Sequence, residues 1–154
     1  MDPVLTDERL TAIGLFIEAS TAVRHALERA SAEWGGMPAN FEILMRLARS
    51  DAQRLRMADL AAQCGLSPSG VSRAVDRLVA DGLVVRASCP TDARGMHAEL
   101  TPKGNKLIVA ALRNHVEDVQ SSFLDVLSAE QRDQMESICR TLRDSLNPCA
   151  TAGT

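Results

Sequence analysis

Arg73 and Arg77 stand four residues apart in the stretch "GLSPSGVSRAVDRLVADGL", residues 65 to 83, in company with Ser67, Ser69 and Ser72. Guanidinium groups one helical turn apart project from nearly the same face. Such a pair suits a phosphate or the edge of a guanine base, and serine hydroxyls suit phosphate oxygens. If nothing outside engages them, Arg73 with Asp76 or Arg77 with Asp81 would make only ordinary local ion pairs. Other reactive side chains are scattered. Cys64, Cys89, Cys139 and Cys149 form no C-x-x-C pair, so a zinc ribbon or a thioredoxin-like site is not expected. His25, His97 and His115 lie far apart with no i, i+4 pair, so neither a metal site nor a cofactor is expected. The chain has no P-loop, G-x-G-x-x-G or G-x-S-x-G pattern. It offers no nucleophile–base pair and does not read as an enzyme.

The distribution of charge sharpens the reading. The 154 residues carry a net charge of −3, which alone argues against a polyanionic partner. Yet residues 67–106 hold 6 basic and 4 acidic side chains, against 5 and 7 in residues 1–50 and 4 and 7 in residues 107–154. An acidic chain with a basic middle implies a local anion-binding surface carried by ends with another task. No apolar run approaches the roughly 18 residues of a membrane span. The start "MDPVLTDERL" shows neither the basic nor the apolar region of a secretory signal, so a cytoplasmic protein without membrane contact is expected.

Helical periodicity supplies the scaffold. Thr6, followed by Asp7 and Glu8, reads as a helix start. Leu10, Ile13, Ile17, Thr21 and Leu27 recur at helical spacing to about Trp34, where Gly35-Gly36 ends the run. A second helix near 38–49, with Pro38 at its start, should bury Phe41, Leu44, Met45 and Leu47. "RLRMADLAAQCG" reads as a short extended link and a helix over 57–63, closed by Gly65. Ser67 and Pro68 then start the helix of the two arginines, with Val71, Ala74, Val75, Leu78 and Val79 as its apolar face and Gly82 as its stop.

"LVVRAS" reads as a strand, "CPTDARG" as a turn, and "MHAEL" as the returning strand. Thr101-Pro102 opens a long helix running past residue 120. Ser128 to Gln131 forms a capping box, and Met135, Ile138, Cys139, Leu142 and Leu146 make an apolar seam to Asn147. Two helices joined by a tight turn and followed by a β-hairpin constitute a winged helix-turn-helix, whose second helix enters the DNA major groove. Arg94 lies at the hairpin tip, where a wing would reach the minor groove.

The stretch "LAAQCGLSPSGVSRAVDRLVADGLVVR", followed by "CPTDARGMHAELTPKG", resembles the MarR (multiple antibiotic resistance regulator) family of bacterial transcription factors. The resemblance extends over about residues 10–145. It implies a mainly α (α+β) chain, a winged helix-turn-helix with long N- and C-terminal dimerisation helices. The first dimerisation helix would occupy 6–36, the DNA-binding domain 38–100, the C-terminal dimerisation helices 101–146 and a flexible tail 147–154.

It further implies a homodimer that binds double-stranded DNA at a near-palindromic operator, as a repressor released by a small aromatic or phenolic ligand. DNA contacts carry over to Ser67, Ser69, Ser72, Arg73 and Arg77. Arg94 would be the wing arginine and Asp92 the carboxylate that holds it. The wing here reads Asp92-Ala93-Arg94 where a second arginine often follows the aspartate, and Met37 precedes Pro38 where a hydroxyl cap is common. His25, Trp34, Phe41 and Met45 are the candidates for the ligand pocket, each equally readable as core. Oxidation of Cys89, or a winged-helix interaction dimer without DNA binding, are the alternative functions.

Overall fold

The computed structural model describes residues 2–30, 38–89 and 92–147. A 3-10 turn, Pro3–Thr6, leads into α1, Glu8–Ala30. Asp7, not the expected Thr6, heads this helix: its Oδ1 accepts the Arg9 N–H at 2.9 Å. Thr6 closes the preceding turn, so the helix starts one residue later. The expected continuation of α1 through Trp34 lies outside the described residues.

Helix α2, Pro38–Ala48, is followed by β1, Arg54–Arg56, and α3, Met57–Cys64. Gly65 stops α3 in the left-handed conformation, φ 62°, which glycine adopts without a Cβ penalty. Helix α4, Pro68–Ala80, ends before Gly82, also left-handed at φ 69°. The hairpin is β2, Val84–Cys89, and β3, Asp92–Leu100. It is longer than expected, because pairing continues through Ser88↔Met96 to Cys89↔Asp92, with an irregularity between Ser88 and Cys89.

The segment 54–56, expected as a link, is a true strand. Leu55 pairs with Ala98 and Arg56 with His97, giving an antiparallel sheet in the order β1–β3–β2. Helices α5, Pro102–Ser122, and α6, Ala129–Leu146, complete the fold, with a short 3-10 turn at Leu124–Val126 between them. The Ser128 capping box forms as expected: Gln131 N–H donates to Ser128 Oγ, and Ser128 N–H donates to Gln131 Oε1. Beyond α6, Asn147 Nδ2 donates to the Ala62 carbonyl at 3.2 Å. The first residue of the expected tail is therefore tied to α3, and 148–154 lie outside the described residues.

The core gathers α2, α3, α4, the sheet and the first half of α5 around Leu47, Leu60, Val75, Ala98 and Ile108, all fully buried. Of the expected α2 set, Phe41, Leu44 and Leu47 are buried, but Ile43 joins them and Met45 only packs against the edge. On α4 the apolar face is Val71, Ala74, Val75 and Leu78. Val79 sits at the margin of that stripe and is 38% exposed.

The two ends differ from this core. Leu10, Ile13, Phe16 and Ile17 on α1 are each more than half exposed, as are Val116 on α5 and Ile138 and Leu146 on α6. The α6 seam read from the sequence thus remains largely uncovered by the described residues of its own chain, Cys139 included. Among the described residues, no helix is long and apolar enough to cross a membrane.

Candidate nucleic-acid interface and ligand cavity

The surface around α4 is built by local capping. Ser67 is extended, φ −66° and ψ 156°, and its Oγ accepts the Gly70 N–H at 3.1 Å. The same oxygen lies 3.2 Å from Ser69 Oγ. Pro68 fills the first helical position, where no N–H is needed. Together they expose a helix N-terminus with amide donors and a partial positive charge toward solvent. At about 100° per residue, Ser69, Arg73 and Arg77 fall opposite the buried face of Val71, Ala74, Val75 and Leu78.

Arg73 and Arg77 are exposed, and neither pairs with a described residue. The local pairs with Asp76 and Asp81 do not form. Asp76 is held instead by Arg86 of β2: Arg86 Nη2 donates to Asp76 Oδ1 at 2.8 Å and Nε donates to the same oxygen at 3.2 Å. Arg86 Nη2 also donates to Ser72 Oγ at 3.0 Å. Ser72 is therefore half-buried and engaged by the protein, but its hydroxyl proton is still available to an outside acceptor.

The wing is described through its backbone. Asp92 and Arg94 both lie on β3 next to the hairpin connection, and the expected contact between their side chains lies outside the described part. The root of the wing is tightly joined to α5. Thr101 Oγ1 donates to the Gly82 carbonyl at 2.9 Å, and Thr101 N–H donates to the Leu83 carbonyl at 3.0 Å. Lys103 Nζ donates to the Asp81 carbonyl at 2.7 Å, at the C-terminal end of α4. A Cβ on Gly104 would stand 2.1 Å from the Leu83 carbonyl oxygen, so glycine is required by this approach.

Above this module lies a mostly apolar cavity of about 770 Å³, lined from α1, α2, α3, α5 and α6. Phe41 and Met45 form part of its wall. His25 does not: α1 contributes Phe16, Ala19, Ser20, Val23, Arg24 and Leu27, and His25 points off that stripe into solvent. Trp34 lies outside the described residues. His115 of α5 takes a place in the wall and packs its ring on Phe41, centroids 4.8 Å apart at 60°. Glu42 at the rim accepts from Arg46 Nε at 2.7 Å. Burial pushes the Cys64 thiol up to about 12, with the negative charge of Glu42 adding to the effect. Among the described residues no group of three His, Cys, Asp or Glu side chains could hold a metal.

Residues 38–95, the span of the helix-turn-helix and the wing, match the family model for MarR. The whole chain is similar to Sco3205 of Streptomyces coelicolor, a MarR family transcriptional regulator whose crystal structure was determined with DNA. The two are 34% identical, covering 95% of this chain and 92% of that one, with a TM-score of 0.78.

The chain belongs to the MarR family.

More distant relatives agree. YkoM of Bacillus subtilis (strain 168), called an uncharacterized HTH-type transcriptional regulator, is 29% identical over 79% of this chain and 77% of its own length. The transcriptional repressor MprA of Escherichia coli (strain K12) is 27% identical over 70% of this chain, which spans 60% of MprA's length. This MarR-family protein is thus a transcriptional regulator and not an enzyme.

Of the residues the sequence singled out, the fold brings Ser67, Ser69, Ser72, Arg73 and Arg77 onto one helix, and Phe41 and Met45 into one cavity. It adds Arg86 and Lys103 beside the first group and His115, Arg24 and Cys64 beside the second. His115 carried a signal, a histidine in the apolar stripe of α5. Arg86 carried none, since its partners lie 10 and 14 residues away across the turn.

Proposed function

We propose that this regulator binds double-stranded DNA as a homodimer in the cytoplasm. It represses transcription from a near-palindromic operator and lets go when a small aromatic or phenolic molecule fills the cavity between the winged module and the terminal helices. The observation that carries the reading is the outward face of α4, two exposed arginines without a described partner beside a serine-capped helix N-terminus. That face offers bidentate donors to base edges and phosphates. Its contacts would come from Ser67, Ser69, Ser72, Arg73 and Arg77, with Arg94, held by Asp92, entering the minor groove.

Dimerisation is supported by the apolar stripes left open on α1, α5 and α6, too extensive for the surface of a lone chain. A two-fold dimer reads half-sites about 10 bp apart. Sco3205 provides a relative crystallised on DNA, and MprA one named a repressor. The ligand role rests on the cavity, apolar in most of its wall but with Arg24 and His115 in it, a lining that suits a flat ring bearing one polar group.

Selection of bound fragments from genomic DNA at two salt concentrations, with the mass in solution measured alongside, tests the proposal. A near-palindrome enriched at low salt and lost at high salt, from a particle of two chains, supports it. No enrichment at either salt from a stable dimer would refute DNA binding and leave an interaction module.

A further inference from the structure

Among the described residues, Arg86 is the one basic side chain of the hairpin that reaches back onto α4. It stands on β2 opposite Ala98, on the face of the sheet that covers the core, and its side chain is 27% exposed. From there it reaches two positions on one stripe of α4, Ser72 and Asp76, one turn apart. Both of its bonds to the carboxylate go to Oδ1. Further bonds go to the Ser72 hydroxyl at 3.0 Å and the Ser72 carbonyl at 3.3 Å. The guanidinium therefore grips helix backbone, hydroxyl and carboxylate together.

Asp76 stands three residues after Arg73 and directly before Arg77. A carboxylate at i+3 is the natural local partner of an arginine, and it lies beside the face that would meet a polyanion. Left alone, Asp76 would compete with DNA for Arg73 and repel phosphate. With Arg86 in place the Asp76 Oδ1 is engaged and its charge is paired, and Arg73 and Arg77 have no described partner. We infer that Arg86 is a positioning residue for DNA recognition: by holding Asp76 and Ser72 it keeps the two outward arginines of α4 free for the nucleic acid. Because it donates to Ser72 Oγ, it also turns the Ser72 proton outward, toward a phosphate. This inference rests on the DNA-binding reading above.

Two measurements test it. The first uses the DNA-free protein: the side-chain Nε–H resonances of Arg73 and Arg77 in 15N-labelled samples. Arg86→Ala should give Arg73 the shift and slowed exchange of an ion-paired guanidinium, and Arg86→Ala with Asp76→Ala should abolish the change. An Arg73 signal unmoved in folded Arg86→Ala overturns the proposal without reference to DNA.

The second measures affinity for a duplex selected by the wild-type protein from a random-sequence pool. Arg86→Ala should bind about tenfold more weakly, and the double variant should return to within about twofold of wild type. Asp76→Ala alone should bind at least as well as wild type. A double variant as weak as Arg86→Ala would mean that Arg86 merely tethers the hairpin or touches DNA itself, and would overturn the proposal. Should Arg86→Ala fail to fold, Arg86→Lys and Asp76→Ala decide: the former should lie between wild type and alanine, and a tenfold loss in the latter refutes the idea. A wild-type protein that selects no duplex refutes the DNA-binding reading, whereas the resonance measurement still reports on Arg86.

Discussion

Gly104→Ala is a demanding perturbation of this structure, and Gly70→Ala is its natural control. The two glycines hold equivalent positions. Ser67-Pro68-Ser69-Gly70 and Thr101-Pro102-Lys103-Gly104 each open a helix with a hydroxyl cap, a proline and a glycine whose N–H donates to the cap, at 3.1 and 3.0 Å. Alanine should favour either helix by up to about 1 kcal/mol. Their surroundings differ. At Gly70 a Cβ would meet Ser67 Oγ at 3.1 Å, the end of a side chain, and Leu66 Cβ at 3.8 Å, an ordinary contact. At Gly104 it would meet the Leu83 carbonyl oxygen at 2.1 Å and carbonyl carbon at 3.0 Å, which are backbone atoms that cannot swing away.

The start of α5 would have to lift off the turn after α4. Overpacking of this kind costs about 1–3 kcal/mol. The Thr101 and Lys103 bonds to the carbonyls of Asp81, Gly82 and Leu83 would lengthen with it, at about 1 kcal/mol for each one lost. After the helix gain is set against these, Gly104→Ala should lose about 2–4 kcal/mol, and Gly70→Ala should stay within about 1 kcal/mol of wild type. For a chain of this size the loss lowers the melting temperature by roughly 5–15 °C. Thermal unfolding at fixed protein concentration reads both variants. A Gly104→Ala protein as stable as Gly70→Ala would refute the close approach of α5 to Leu83 and the reasoning built on it.

Three further outcomes are expected. Arg73→Ala should weaken DNA binding by about 1–3 kcal/mol and relax sequence choice at one position of each half-site; equal weakening on all duplexes, read by competition binding, would make Arg73 a phosphate contact. Ile17→Glu, on the open stripe of α1, should convert a two-chain particle into single chains by light scattering while leaving helix content intact; an unchanged mass would show that the stripe is not the dimer surface. Cys64, its thiol pushed up to about 12 by burial, should stay protonated at neutral pH and react with iodoacetamide far more slowly than in denaturant; rapid native-state labelling of Cys64, seen by peptide mass analysis, would contradict its environment. This thiol is accordingly a poor candidate for an oxidation sensor.

Legibility followed the range of the interactions. The cap at Ser67, the capping box at Ser128 and the left-handed stops at Gly65 and Gly82 each depend on residues within about four positions, and all were readable. The Thr6 cap failed because a 3-10 turn ahead of the helix, stabilised by Asp2 Oδ1 accepting from Val4 N–H, moved the start. Segment 54–56 could not be read as a strand, since three residues carry almost no periodicity and their pairing partner is 41 to 45 positions away, Arg54 with Glu99 and Arg56 with His97. The cavity suffered most. Phe41 and Met45 lie on a helix that faces the cavity, whereas His25 follows Arg24 in the sequence yet falls off the α1 stripe that lines it.

By itself, the sequence determined the order of helices and strands, the amphipathic face of α4 and the basic middle of an acidic chain, because caps, periods of 3.6 and 2, and charge counts are local properties of the chain. Tertiary structure decided which side chains meet: Arg86 with Ser72 and Asp76, Lys103 with the end of α4, His115 with Phe41, and Gly104 with the backbone of Leu83. Those contacts depend on how helices cross and how strands register. Such geometry is set by packing of the whole core at close density, and no short window of residues encodes it.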